Sequence, residues 1–291
     1  MKESSTSKRG RTGGGKALSA VAAAAGLAAV VVWGDRARTV SRHTLRCPRL
    51  PRGFDGLRLA HLSDLHGRDF GRDNAPLISA LRRARPDLIL FTGDLIDSRR
   101  GGGAVALSLV EQAARIAPVY AVTGNHEGRL GRRFDPLEAA MAAAGARFLH
   151  GEAVTLRRGG ARLRLMGIDD AARSGQPPDL ALAALPPRDD TFTLLLAHRP
   201  WRFEVYAAAA DLTLCGHTHG GQFRLPRLGG LYAPGQGLLP PYDGGLYRRG
   251  EALLLVSRGL GNSLFPLRLG NRPELVLLTL RVDGSGARDG G

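Results

Sequence analysis

Asp87-Leu88-Ile89-Leu90-Phe91-Thr92-Gly93-Asp94-Leu95-Ile96-Asp97 is the segment from which the architecture of this chain is read. Its apolar run, closing at Thr92, reads as a strand, and a glycine and two carboxylates follow at once. Upstream, Leu57–Ser63 alternates as a strand and runs into Asp64-Leu65-His66. Residues 72–85 between the two strands read as a helix with Asp73 or Asn74 as its cap. Downstream, residues 104–117 read as a helix, Val119–Val122 as a third strand ending in Gly124-Asn125-His126-Glu127, and 135–145 as another helix. This βαβαβ rhythm implies a parallel sheet, with polar residues gathered where α/β proteins place their sites, at the C-terminal ends of strands.

The second half is richer in strands. Residues 153–158 and 162–168 read as a hairpin around Gly159-Gly160, and 180–185 as a short helix. Thr193–Ala197 reads as a strand that ends in His198 and is followed by Arg199. A helix over 201–210 then leads into Leu212-Thr213-Leu214-Cys215, a buried strand ending in Gly216-His217-Thr218-His219-Gly220-Gly221-Gln222. Strands are expected again over 253–257 and 275–282.

Five apolar runs thus end in ligand-type residues: Asp64, His66, Asp94, Asn125, His198, His217 and His219. An Asp-x-His pair leaving a strand places carboxylate and imidazole on one side, because strand side chains repeat every two residues. The set mixes oxygen and imidazole donors without a thiolate, which suits Mn²⁺, Zn²⁺ or Fe and argues against Ca²⁺ or Mg²⁺ alone. Five of the eight histidines lie in these motifs. Of the rest, His61 reads as a core histidine, and His43 and His150 as solvated loop residues.

The chain has 291 residues, a net charge of +15 and a pI near 11.1. Such a balance raises nucleic acid or an anionic membrane as partners. Residues 1–46 alone carry +7 of that charge, and the basic residues are nearly all arginine. No aromatic-interleaved basic surface or DNA-binding motif accompanies them, so specific nucleic-acid binding is not expected. Two cysteines, Cys47 and Cys215, form no disulfide framework.

Residues 1–16 read as a disordered basic tail, 17–33 as an uncharged transmembrane or signal-anchor segment, and 34–56 as a linker with Pro48, Pro51 and Gly53. A domain over 57–282 and a flexible tail over 283–291 complete the chain. The corresponding location is the cell membrane, with a single pass through 17–33.

The ordered series Asp64-x-His66, Gly93-Asp94-x-x-Asp97, Gly124-Asn125-His126-Glu127, His198 and Gly216-His217-x-His219 resembles the calcineurin-like metallophosphoesterase family. Gly220-Gly221-Gln222, Ser257-Arg258-Gly259-Leu260-Gly261 and Pro273-Glu274 resemble its bacterial branch with an N-terminal membrane segment. The resemblance implies an α/β fold, a four-layer α/β/β/α sandwich of two packed mixed sheets flanked by helices, here with an N-terminal membrane helix. It implies two divalent metal ions (Mn, Zn or Fe), one on Asp64, His66 and His219, the other on Asn125, His198 and His217, with Asp94 bridging. It also implies in-line attack of a metal-bridging hydroxide on a phosphodiester or pyrophosphate bond. His126 would serve as general acid, with Asp97 orienting it. Some relatives place a phosphate-binding arginine directly after the Asp97 position. Ser98 stands there instead, leaving Arg99, Arg100, Arg129 and Arg199 as alternatives. The substrate expected is a phosphate ester, in one form lipid-linked and of the UDP-2,3-diacylglucosamine type, met by apolar residues of the 228–247 loop and of 264–267. A metal-dependent nuclease and a non-catalytic scaffold on the same fold are the alternatives.

Overall fold

Alternation within the central strands divides their side chains between separate apolar layers. Strand β2 (Arg58–Leu62) sends Leu59 to one layer and Ala60 and Leu62 to another. Strand β3 (Leu88–Thr92) does the same with Leu88 and Leu90 against Ile89 and Phe91. These strands lie in a six-stranded sheet of the computed structural model, which describes residues 38–262, 265 and 267–283. The sheet also contains β1 (Thr39–Cys47), β4 (Val119–Val122), β5 (Ala146–Phe148) and β16 (Glu274–Val282), in the order β1-β16-β2-β3-β4-β5. Strands β2 to β5 are mutually parallel, and β16 runs antiparallel to β2.

A second six-stranded sheet has the order β14-β15-β9-β8-β7-β6. Its strands are β6 (Glu152–Arg158), β7 (Ala161–Gly167), β8 (Thr193–Leu196), β9 (Leu212–Cys215), β14 (Gly245–Arg249) and β15 (Ala252–Val256), while β10 (Arg224–Leu225) with β11 (Gly229–Gly230) and β12 (Tyr232–Ala233) with β13 (Gly237–Leu238) form two short ribbons. This second sheet too is mixed: β7, β8, β9 and β15 are parallel, with antiparallel edges. Between the sheets lies a leucine-rich layer that includes Leu59, Leu90, Leu194, Leu212, Leu214 and Leu278. Burying each such side chain stabilises the fold by about 1.5–3 kcal/mol. The outer face of the first sheet is covered by helices Ala75–Ala84, Gly103–Ala114 and Asp135–Ala143, that of the second by Pro178–Ala183 and Phe203–Ala209. The expected sandwich of two mixed sheets flanked by helices is therefore present.

The expected membrane helix and single-pass location find no counterpart among the described residues. Among the described residues, no helix is long and apolar enough to cross a membrane. The longest, Gly103–Ala114, has 12 residues and spans about 18 Å against a hydrocarbon core of about 30 Å. Residues 17–33, on which that expectation rested, lie outside the described residues, as do the basic tail 1–16 and residues 284–291. The described part of the segment read as a linker, from residue 38, instead holds β1, paired in parallel with β16 along its whole length. It is an edge strand whose only buried side chains, Leu45 and Cys47, sit near its end, so its alternation is short. Both cysteines are buried and free.

His61 is buried as expected, its Nε2 2.8 Å from Thr92 Oγ1. His150 is not simply solvated. Its Nδ1 meets Asp169 at 2.8 Å and its Nε2 meets Glu138, while the ring stacks on Phe148. The hydrogen bond with Asp169 raises its pKa to about 9. A raised imidazole pKa stabilises the fold below the unfolded value and stops doing so as pH rises through the folded value. His150→Gln should therefore lose about 1 kcal/mol near pH 6, a figure reduced for solvent screening. Urea unfolding should show the loss vanishing well above pH 9; a pH-independent loss contradicts the ion pairing.

Candidate metal centre

Five strands, β2, β3 and β4 of the first sheet and β8 and β9 of the second, deliver the ligand-type residues to one place. Asp64 and His66 follow β2, Asp94 follows β3, Asn125 follows β4, His198 follows β8, and His217 and His219 follow β9. The strand-alternation argument does not account for Asp64 and His66, because β2 has already ended. Left-handed turns aim them instead, with φ of 52° at Asp64 and 49° at His66. Asp94 (53°), His217 (71°) and His219 (49°) share that region. Non-glycine residues there cost about 1–3 kcal/mol each and persist where surrounding packing enforces them. Glycines permit the crowding. A Cβ on Gly93 would lie 2.4 Å from the Gly124 nitrogen, and one on Gly216 would lie 1.9 Å from Ser63 Oγ.

Two triads result, Asp64/His66/His219 and Asp94/His198/His217, with ligand atoms within 4.8 Å of one another and every residue buried. His66 Nε2 lies 3.1 Å from His219 Nε2, and His217 Nδ1 lies 2.9 Å from His198 Nε2. Asp94 Oδ2 reaches toward both groups, 3.6 Å from His66 Nε2 and 3.3 Å from His198 Nε2. Asn125 turns its Oδ1 to the same point, 3.2 Å from His198 Nε2 and 2.6 Å from His217 Nδ1. A third grouping, His66/Asp94/His126, brings His126 against the same carboxylate.

Divalent cations fit this donor set. Lone-pair atoms converge on one another where a buried polar network would instead alternate donors with acceptors. The outer nitrogens are engaged in ways that leave the inner ones free to ligate: His198 Nδ1 donates to Thr92 O at 2.7 Å, and His219 Nδ1 lies 3.3 Å from Gly261 O. Burial drives the His66 pKa down to about 3 and those of His217 and His219 well below the usual value, favouring neutral imidazoles. At His198 burial also lowers the pKa, but Asp94 outweighs it and raises the value to about 10. A cation bound there displaces that proton.

His126 opens a short helix, Asn125–Leu130, and lines a cleft of about 350 Å³ with Asp94, Ser98, Arg99, Arg129 and His217. Its Nδ1 accepts from the Ser98 backbone N–H at 3.0 Å, whereas Asp97 stands 3.7 Å away. Asp97 accepts instead from the Arg99 and Arg100 backbone N–H groups and from the Arg100 guanidinium. Burial raises its pKa, but those bonds prevail and hold it at about 2. Arg199 is bound to Asp170 through Nε and Nη2.

Several contributors carry no separate signal in the sequence. Glu127, the last residue of the Gly-Asn-His-Glu motif, is buried and accepts from the backbone N–H groups of Asp94, Gly124 and Ile96. It ties the β3 loop to the β4 loop. Arg268, also buried, donates to Arg258 O and Asn262 Oδ1, with its Nη2 3.3 Å from His219 Nδ1. Gln222 and Asn271 join the Gly-His-Thr-His loop to residues 265–271: Gln222 Nε2 donates to Phe265 O and Leu267 O, and Asn271 Nδ2 to His219 O.

Two adjoining N/O ligand groups at the strand ends of a two-sheet sandwich define a dinuclear divalent-metal hydrolase. The chain belongs to the calcineurin-like phosphoesterase family, whose pattern matches residues 57–221. It is 30% identical over 248 residues to the uncharacterized metallophosphoesterase YkuE of Bacillus subtilis, covering 83% of this chain and 85% of that protein. It is 36% identical over 201 residues to the phosphodiesterase YaeI of Escherichia coli, covering 67% and 71%. The protein is accordingly a metallophosphoesterase, a hydrolase of phosphoester bonds.

Proposed function

We propose that this chain cleaves phosphodiester or pyrophosphate bonds at the dinuclear site. The observation that carries the reading is the position of Asp94, whose Oδ2 faces both histidine groups and lies 4.0 Å from His126 Nε2. Asp64, His66 and His219 would hold one cation; Asn125, His198 and His217 would hold the other, with Asp94 shared. Such a pair, when bound, lowers the pKa of water and neutralises phosphoryl oxygens. His126 then has the leaving oxygen to serve. A backbone N–H on Nδ1 keeps its proton on Nε2, on the side of Asp94, where it can pass to that oxygen as a general acid. Asp97 steadies the 97–101 turn that presents Ser98, and so acts on His126 through that turn. The likeness to a phosphodiesterase supports diesters over monoesters.

An apolar, lipid-like substituent on the substrate is supported by the short ribbon Tyr232–Ala233 with Gly237–Leu238. Its Pro234 lines the cleft, and Leu238 and Leu239 beside it are 80% and 60% exposed. The test is hydrolysis of bis(p-nitrophenyl) phosphate and p-nitrophenyl phosphate by the full chain, stripped of metal and resupplied with Mn²⁺, Zn²⁺ or Fe²⁺. Metal-dependent cleavage that favours the diester is expected. Preference for the monoester overturns the diesterase reading.

A further inference from the structure

A separate cavity of about 230 Å³ lies beside the metal centre, at the ends of β7 and β8. Ile168, Pro177, Pro178, Ala197, Trp201 and Tyr206 give it a mainly apolar lining. His198, one of the cation-ligand candidates, forms part of its wall, and the Trp201 ring lies 5.1 Å from that of His217. Gly235 lets the neighbouring loop close on the indole: a Cβ there would lie 2.5 Å from Trp201 Cη2. Trp201 therefore stands between this cavity and the loop that carries Pro234 into the catalytic cleft. The charged groups of the lining are engaged with one another or with residues around them. Asp170 holds Arg199, Asp179 accepts from Arg202, and Asp169 accepts from Thr123 Oγ1 and meets His150. The Arg199 guanidinium also lies 5.3 Å from the centroid of the Trp201 ring and so steadies the indole. An ionic occupant would have to break one of these pairs, whereas an uncharged one gains from the apolar walls. Size sets a second limit. A dry cavity of about 150 Å³ accepts benzene, and drug-sized ligands occupy about 300 Å³ or more. This cavity holds a single ring and is too small for a long acyl chain.

We infer that this cavity receives an uncharged aromatic ring on the substituent that stays with phosphorus, and that Trp201 sets the preference for it. A flat ring can meet the indole by offset or edge-on stacking, which adds to the gain from burial. His126, which serves the leaving oxygen, lines the other cleft, so the cavity is left for the retained substituent. The inference rests on the hydrolase reading above and goes beyond it by naming the class of one substituent. Ala171 offers a way to test it. It lines the same cavity yet is exposed, so a larger side chain there fills the space without disturbing the core.

The experiment compares the metal-loaded full chain with Ala171→Leu and Trp201→Leu. Titration calorimetry is run with benzylphosphonate and with methylphosphonate, which differ only in the ring. Their phosphorus–carbon bond is not a phosphoester, so binding is read without turnover, and cleavage of bis(p-nitrophenyl) phosphate is measured separately. Burying one ring corresponds to about 10-fold or more in affinity. The wild type should bind benzylphosphonate tighter than methylphosphonate by about that factor. Ala171→Leu should abolish the preference while methylphosphonate affinity, metal content and melting temperature stay unchanged, and Trp201→Leu should lower it. Equal affinity for the two probes in the wild type, or an unchanged preference in both variants, overturns the inference even if the diester is cleaved. A ring preference lost in Ala171→Leu, in a protein that cleaves no diester with any metal, upholds the ring site while rejecting the hydrolase reading.

Discussion

Asp94→Asn is expected to lower turnover of a phosphodiester by more than about 100-fold while leaving the fold in place. Losing a residue that only supports a metal ligand already costs about 10–100-fold in affinity or activity. Asp94 faces both triads, so its loss should cost more. Its carboxylate is buried among His66, His126 and His198, and although burial raises its pKa, His198 first among these neighbours holds it well below the usual range. Asparagine keeps the shape, and one oxygen can still accept from the His126 N–H, a 2.8 Å bond in the native protein. What changes is the inner face: an N–H now points at imidazole lone pairs, and the negative charge opposing two cations is gone. The result is read from kcat together with metal content. A variant that keeps two metals and more than about a tenth of its activity contradicts a bridging role.

Glu127→Ala should destabilise the protein by about 3–5 kcal/mol, because three buried backbone N–H groups lose their acceptor. Glu127 accepts from Asp94 N at 2.9 Å, Gly124 N at 2.8 Å and Ile96 N at 3.2 Å. Burial and the adjacent Asp94 raise its pKa to about 7, so the carboxylate is held at some cost for the sake of those three donors. Alanine leaves three buried N–H groups to seek water, at about 1–3 kcal/mol each before any water enters. Glu127→Gln, which keeps one acceptor oxygen, should lose less than half as much. Urea unfolding at matched metal occupancy measures both. A loss below about 1 kcal/mol for alanine contradicts the view that this side chain fastens the two ligand loops together.

The metal-ligand candidates were readable because each follows an apolar run within a few residues, so strand pattern and chemistry point to the same position. Leu212–Cys215, for example, forms β9 with the bounds read from its pattern. What escaped reading depends on contacts distant in sequence. The N–H that orients His126 belongs to Ser98, and a backbone donor has no residue signature. Glu127 lies inside a motif quoted for its neighbours, yet its three partners are defined only once β3 and β4 stand side by side. Strand β1 earns its place through pairing with β16, more than 220 residues later, and not through its own weak alternation. Asp64 and His66 were expected together on strand geometry; they are together through left-handed turns that no periodicity encodes.

Metal stoichiometry tests the central claim most directly. The full chain, stripped, reloaded separately with Mn²⁺, Zn²⁺ or Fe²⁺ and desalted, would be analysed by inductively coupled plasma mass spectrometry against protein concentration. Two ions per chain with at least one of these metals is the result predicted by two triads meeting at Asp94. One ion or none per folded chain with every metal would contradict a dinuclear centre.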